Sequence, residues 1–436
     1  MTVSQNETTE YGDVKEPSFA AEQIVVGSWF TVLLLWTTGI SAAMQFAKMS
    51  IGFDAFQTEM EVGPGMVSAL LAACGFFGLI FGVAGASITA RLGLRRMLLG
   101  SLAAAAVLSL VQAAQPSVSI FYLTRLLEGA TNLFIVVAAP ALIVRYAPSG
   151  GMAKALALWG TFYGVAFAVA GTIAPTLIVA GGTPLMLAAH AALTVVVAVL
   201  LWTRPLSDPV DTALGDKNAD PHSIGVVVLM RHLLADNLRA IRHKSTLLPG
   251  LIFLFHASIY LGLLIFVPLM APTPKTQQLL QIGMPLISIL TTLAVGPLAS
   301  GRLTPGSILS VGFPALILLA LGLTMAATAP VYALTGLSMM AISGLMQGSI
   351  FILPPRLAKE PRDDTLAFGM IAQLGSLGSI IGPVAFEIAT RSPVNGETAM
   401  ETTNNIAGFA LLLTALASIG LLVTRLGLYR ATPQSD

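Results

Sequence analysis

The chain has 436 residues, 55% of them hydrophobic and only 10% charged, with a mean hydropathy of +0.83. A soluble domain carries about 25% charged residues, so the composition excludes a water-soluble globule and describes an integral membrane protein. A net charge of +1 leaves no footprint for nucleic acid, and the lone Cys74 excludes an internal disulfide or a cysteine metal cluster, so no cofactor is expected.

Residues 1–24 carry five acidic side chains against Lys15. A secretory signal opens on basic residues, so this tail is expected to be retained and disordered. A bilayer crossing takes about 20 apolar residues. Twelve candidate helices follow, near 27–47, 64–89, 95–114, 118–144, 153–180, 184–203, 246–270, 279–300, 306–328, 330–354, 366–389 and 404–427. The expected fold is an all-α membrane protein of twelve transmembrane helices. They form two six-helix bundles related by a pseudo-twofold, over 25–203 and 246–430, before a short tail at 431–436.

Basic residues set the orientation. Arg91, Arg95 and Arg96 follow helix 2, Arg145 and Lys154 follow helix 4, and Arg204 to Lys244 populate the long middle loop. Arg302, Arg356, Lys359, Arg362, Arg425 and Arg430 continue the alternation, so with Lys15 the same side holds 18 of the 22 basic residues. The positive-inside rule makes that side, and both termini, cytoplasmic. Short loops without sorting signals lean toward a bacterial inner membrane.

The middle loop, 204–245, begins Pro- and Asp-rich, as a linker does. Its second half repeats Val226, Leu229, Leu233, Leu234, Leu238 and Ile241 at helical spacing among basic residues. That pattern describes an amphipathic helix on the inner membrane surface or under the bundle.

Helix 4 carries Arg125, Glu128, Gly129 and Asn132 at i, i+3, i+4 and i+7, on one face. Charges at this depth seldom persist in lipid without a partner or a task. Arg125 offers a bidentate fork to an anionic substrate, and Glu128 would exchange its ion-pair partner for a proton as the helices rock. His256 and Tyr260, one turn apart on helix 7, would face them across the pseudo-twofold. Gln45, His190, Gln347 and Gln373 are further polar candidates, and Trp36 would pack on a planar ligand. Lys48 and Glu387 lie toward outer helix ends and are expected to snorkel to water.

Glycines mark close helix contacts. Gly75, Gly78, Gly82 and Gly85 stripe helix 2, Gly160, Gly164 and Gly171 helix 5, and Gly375, Gly378 and Gly382 before Pro383 helix 11. They are expected to form a sliding interface between the halves.

Six plus six helices, a long central loop and a basic turn after helix 2 resemble the major facilitator superfamily over about residues 25–430. Its loop motif, Gly-x-x-x-Asp-Arg-x-Gly-Arg-Arg, is matched at Arg91, Gly93 and Arg95, with Ala90 at the aspartate position and the leading glycine displaced to Gly85. Arg125-x-x-x-Gly129 resembles its fourth-helix motif, and Pro140-Ala141-Leu142-Ile143 resembles cyanate-permease-type members. Gly378-x-x-x-Gly382-Pro383 resembles the antiporter glycine-proline signature, which in that family lies on helix 5. Here helix 5 has Gly171-Thr172-Ile173-Ala174-Pro175. The resemblance implies alternating access, with helices 2, 5, 8 and 11 between the halves and Arg91, Gly93 and Arg95 at a gate.

The expected function is secondary transport of a small organic anion or zwitterion, proton-coupled, by a monomer. Export of amphipathic drugs is the alternative within transport, and a transporter-like receptor the alternative outside it. The chain has no nucleotide-cradling loop and no metal spacing, so an enzyme is not expected.

Overall fold

The computed structural model describes residues 27–204, 206, 226–299, 303–390 and 399–429. The expected tails at 1–24 and 431–436, most of the linker before 226, and Arg302, Arg391 and Arg430 lie outside the described residues. The described chain is helical, without a strand: α1 (Trp29–Ile51), α2 (Phe53–Glu59), α3 (Pro64–Leu92), α4 (Leu94–Ala113), α5 (Val118–Tyr146), α6 (Met152–Trp159), α7 (Phe162–Trp202), α8 (Val226–Arg242), α9 (Lys244–Leu269), α10 (Pro274–Ala299), α11 (Pro305–Thr324), α12 (Ala329–Leu357), α13 (Pro361–Thr390) and α14 (Ala399–Tyr429).

Eleven of these helices are long and apolar enough to cross a membrane. α7 counts twice. Its 41 residues would span about 60 Å if straight, twice the hydrocarbon core, and the helix breaks at Gly181–Gly182. Gly182 has φ +69°, and a Cβ there would sit 2.9 Å from Oε1 of Glu59. Only glycine makes this tight return. The twelve crossings are therefore α1, α3, α4, α5, α6 with the first arm of α7, the second arm of α7, and α9 to α14.

Two features differ from the sequence expectation. The fifth crossing is interrupted after α6, where Nε2 of Gln347 donates to the carbonyl of Gly160 at 2.7 Å. A short α2 also fills the connection before α3. It is held by the Glu59 carboxylate, which accepts hydrogen bonds from Thr183 N at 2.9 Å and Gln115 Nε2 at 3.1 Å.

The packing repeats between the halves. α1 packs on α5 and α7 as α9 packs on α12, α13 and α14; α3 packs on α5 as α10 packs on α12; α4 packs on α5 and α7 as α11 packs on α12 and α14. The halves meet at α3 with α13 and at α6 with α10, and α5 and α12 reach across to α13 and α6.

Both seams are tight toward the basic loops. A Cβ on Gly82 would lie 2.4 Å from Cβ of Gln373, and one on Gly296 would lie 2.6 Å from Cα of Lys154. A side chain ties the first seam as well: Gln373 Oε1 accepts from Val83 N at 3.1 Å. α13 is buried over 363–371, whereas Ile380 and Ile381 are exposed. The molecule is thus closed on the basic-loop side and opens on the other.

α8 closes the basic-loop side further. It packs under α3, α9 and α13. Asp236 pairs with Arg91 of α3 at 3.0 Å, and Arg239 with Glu360 at 2.6 Å and Asp363 at 3.5 Å.

Candidate functional site

Two polar features occupy the membrane-spanning region. The first is a cavity of about 390 Å³ between the halves, within the size range of small-molecule pockets. The first half contributes Phe46, Trp159, Phe162, Tyr163 and Phe167, and the second Phe253, Tyr260, Phe351 and Phe368. Rings at i, i+3 or i+4 share a helix face, so Tyr163 and Phe167 stack at 5.0 Å and Phe253, His256 and Tyr260 form a stripe with 5.9 Å steps.

Polar groups on this wall are few: Ser50, Asn132, His256, Gln347, Ser376 and Ser379, with the phenols of Tyr163 and Tyr260 and the Trp159 indole, and no Lys, Arg, Asp or Glu among the lining residues. His256 is 1% exposed. Its Nε2 lies 2.9 Å from the carbonyl of Ser343, so this nitrogen carries the proton, and Nδ1 is a bare acceptor with no hydrogen-bond partner among the described residues.

The second feature is a charge cluster inside the first half. Arg125 and Glu128 are 0% exposed and Lys48 3%. The Glu128 carboxylate accepts from Lys48 Nζ at 2.6 Å, from Gln112 Nε2 at 2.8 Å and from Arg125 Nη1. Lys48 Nζ also donates to Ser109 Oγ at 2.8 Å and Gln112 Oε1 at 3.0 Å, and lies 3.4 Å from Nδ1 of His190. Arg125 Nε donates to the carbonyl of Leu70 at 3.1 Å.

The local reason for this density is Gly129. A Cβ there would lie 2.5 Å from the carbonyl of Cys74, so α5 approaches α3 backbone to backbone. Left in lipid, each such charge costs about 2.5–3.5 kcal/mol by insertion scales. The mutual pairing offsets that cost.

Residues 26–383 match the family model of the Major Facilitator Superfamily. The chain belongs to that superfamily. No curated protein sequence matches it significantly. Among solved structures, the Escherichia coli fucose:proton symporter FucP is similar at TM-score 0.68 and 14% identity, over 92% of this chain and 98% of that one. The proton:xylose symporter XylE gives 0.66 and 15%, over 92% and 96%. The human organic anion transporter MFSD10 gives 0.66 and 15%, over 91% and 98%. At these identities the likeness establishes the fold, a multi-pass transporter fold.

Within that superfamily fold, the candidate residues divide. Asn132, His256, Tyr260 and Gln347 line the cavity; Arg125 and Glu128 do not. They sit behind α1 and α5, so they and His256 do not meet across one space. Gln373 bridges the halves through Val83, and Gln347 does so through Gly160.

Lys48 corrects the expectation of snorkelling. Its ammonium has four polar neighbours inside the half, which outweigh a reach to water past Met49 and Phe56, both 0% exposed.

The glycines divide too. Gly78 and Gly82 meet α13, and Gly160 and Gly164 meet α10, all between the halves. Gly375, Gly378 and Gly382 instead press on Phe253, Leu254 and Ser258 of α9, inside the second half, with Pro383 just beyond them. Gly171 is exposed, and a Cβ there would meet only Ile51, at 4.0 Å. Small residues mark close approach but do not say to which neighbour.

In the basic turn after α3, Gly93 links α3 to α4 at φ +98°, and Arg95 Nη2 donates to Trp202 O at 3.1 Å. Arg91, beside the motif position held by Ala90, finds its carboxylate on α8 as Asp236. Neither Lys48 with Ser109 and Gln112 nor the Asp236 pairing was anticipated. Helical spacing for α8 was the only available signal of the latter.

Proposed function

We propose that the protein is a proton-coupled secondary transporter of small, uncharged amphipathic solutes that carry an aromatic ring and a hydrogen-bond donor. The observation that carries this reading is the cavity wall: aromatic from both halves and without Lys, Arg, Asp or Glu, with His256 among its lining residues and the buried Nδ1 of that ring lacking a hydrogen-bond partner among the described residues. Rings supply apolar contact and stacking, and one buried acceptor rewards a donor that satisfies it.

The organic anion expected from Arg125 loses its main support, because that guanidinium lies behind the wall, bonded to Glu128 and Leu70. The reading is therefore closer to the drug-exporter alternative. Proton coupling is assigned to the cluster around Glu128, one helix away from the cavity.

In the proposed cycle the molecule alternates between this state, open away from the basic loops, and one open toward them. The seams at Gly82 and Gly296 part in the second state. The bias of basic residues supports cytoplasmic termini, hence an outward-open state here, in a bacterial inner membrane. The working unit is proposed to be a monomer, with bundles at 25–203 and 246–430 and the linker between.

The test is uptake into proteoliposomes with an imposed pH gradient, using chloramphenicol (uncharged, aromatic), benzoate (anionic), tetraphenylphosphonium (cationic) and xylose. Gradient-dependent transport of chloramphenicol over benzoate and xylose is expected. Preference for benzoate would restore the anion reading.

A further inference from the structure

We infer that Lys48, rather than Glu128, is the group that gains and loses the coupling proton. This rests on the proposal that the cluster couples transport to protons. Lys48, Arg125 and Glu128 bring two cations and one carboxylate into a space with at most 3% exposure. One positive charge is therefore uncompensated, and donors outnumber acceptors: Nη2 of Arg125 has no hydrogen-bond partner among the described residues. An uncompensated charge buried in this way is strongly unfavourable. Loss of one proton from the cluster removes it, leaving one guanidinium facing one carboxylate. Arginine does not give up its proton in proteins, whereas a buried lysine does so readily.

The surroundings of Nζ allow the step. Its facing groups are Glu128 from α5 with Arg125 behind it, Ser109 and Gln112 from α4, and His190 from α7; Cys74 of α3 is the remaining titratable neighbour of the cluster. Nε2 of His190 lies 3.0 Å from the carbonyl of Ser41 and so carries hydrogen, which leaves Nδ1 as a base. Ser109 Oγ bridges the two, 2.8 Å from Nζ and 2.6 Å from Nδ1. An N–H bond of the ammonium breaks and its electron pair stays on Nζ. Ser109 takes that proton as its own hydroxyl proton passes to Nδ1, and from there a proton leaves to water. The amine that remains still donates to Glu128.

The link to the cavity is the thickness of one helix. Phe46 and Ser50 flank Lys48 on α1 at i−2 and i+2, so they lie on the opposite face, and both line the cavity. On α5, Asn132 lies one turn beyond Glu128, lines the cavity, and donates to the carbonyl of Ala42 on α1 at 2.9 Å. Solute against this wall and a proton on Lys48 therefore act on the same α1–α5 contact.

The decisive experiment needs no transported solute. The chain contains seven lysines. The protein is labelled with 15N at lysine Nζ, reconstituted in lipid vesicles, and followed by solid-state NMR from about pH 5 to pH 9, a range in which ordinary lysines stay ammonium. One Nζ signal is expected to move from the ammonium to the amine position, and to be absent from Lys48→Arg. The inference is overturned if every signal stays ammonium, or if the titrating signal persists in Lys48→Arg. The wild type alone supplies the first of these outcomes, so a variant that fails to fold does not remove the test. In the transport assay Lys48→Arg is expected to lose gradient-driven accumulation, because a guanidinium releases no proton; accumulation as in wild type contradicts the inference. If the wild type moves none of the four solutes while the NMR signal titrates, the transport reading has failed and the proton site has not.

Discussion

The two six-helix halves repeat one packing scheme but bury different things. In the first half the interior holds Lys48, Arg125, Glu128 and His190 with Gln45 and Gln112. In the second, the described interior polar groups are His256 and small hydroxyls such as Ser288, Thr292 and Ser343, with Asp363 and Asp364 confined to the first turn of α13. The second half shows that this arrangement of helices stands without a buried ion-pair cluster among its described residues. The fold therefore does not require the charges in the first half, and their cost calls for a task. The second half in turn places His256 at the cavity wall. Under the proposal, coupling belongs to the first half, and recognition to the wall that both halves build, where the second half supplies His256.

Substitutions can break this contrast. The largest effect is expected at Glu128. Glu128→Ala strands two buried cations, and losing one partner of a buried pair costs about 3–5 kcal/mol. Ser343→Ala in the second half removes one hydrogen bond, worth about 1 kcal/mol. Thermal unfolding in detergent should separate the two clearly; equal losses would show that the clusters play equivalent structural parts.

Next comes the seam. Gly82→Leu forces a side chain into Gln373 and the carbonyl of Gly369, with an overpacking cost of about 1–3 kcal/mol. It should shift the population toward the state open on the basic-loop side, read as increased labelling of cysteines introduced along α13 near Gly369. Gly378→Ala, against α9 within the second half, should lower stability without that shift.

A smaller effect is expected at the wall. His256→Ala removes one acceptor, about 0.5–1.5 kcal/mol, and should raise KM for chloramphenicol roughly three- to tenfold without changing the pH dependence of uptake. A changed pH dependence would move coupling into the second half. The smallest is at α8. Arg239 and Glu360 are 34% and 59% exposed, so Glu360→Gln should cost at most about 1 kcal/mol, seen as faster proteolysis in the linker.

Much of the fold was readable because membrane helices write themselves in long apolar runs, and basic loops alternate with them. Even the α7 hairpin was legible as two crossings, since Gly181 and Gly182 interrupt the run. The site was legible only in part. Arg125 and Glu128 announced themselves by cost, but no periodicity tells which side of a helix faces a cavity in a bundle apolar on all sides. Lys48 was misplaced because depth was judged from its distance to the helix end, whereas its position depends on Ser109, Gln112 and Glu128, 61 to 80 residues away in the chain. The carboxylate for Arg91 likewise came from another element, although the loop motif locates it beside the arginine.

The most direct test of the division between coupling and recognition is chloramphenicol uptake by proteoliposomes, measured across imposed pH gradients for wild type and Glu128→Gln. The wild type should accumulate solute in proportion to the gradient, and Glu128→Gln should lose that dependence, because Lys48 and Arg125 no longer share a carboxylate. Uptake by Glu128→Gln with the wild-type response to pH would contradict the account.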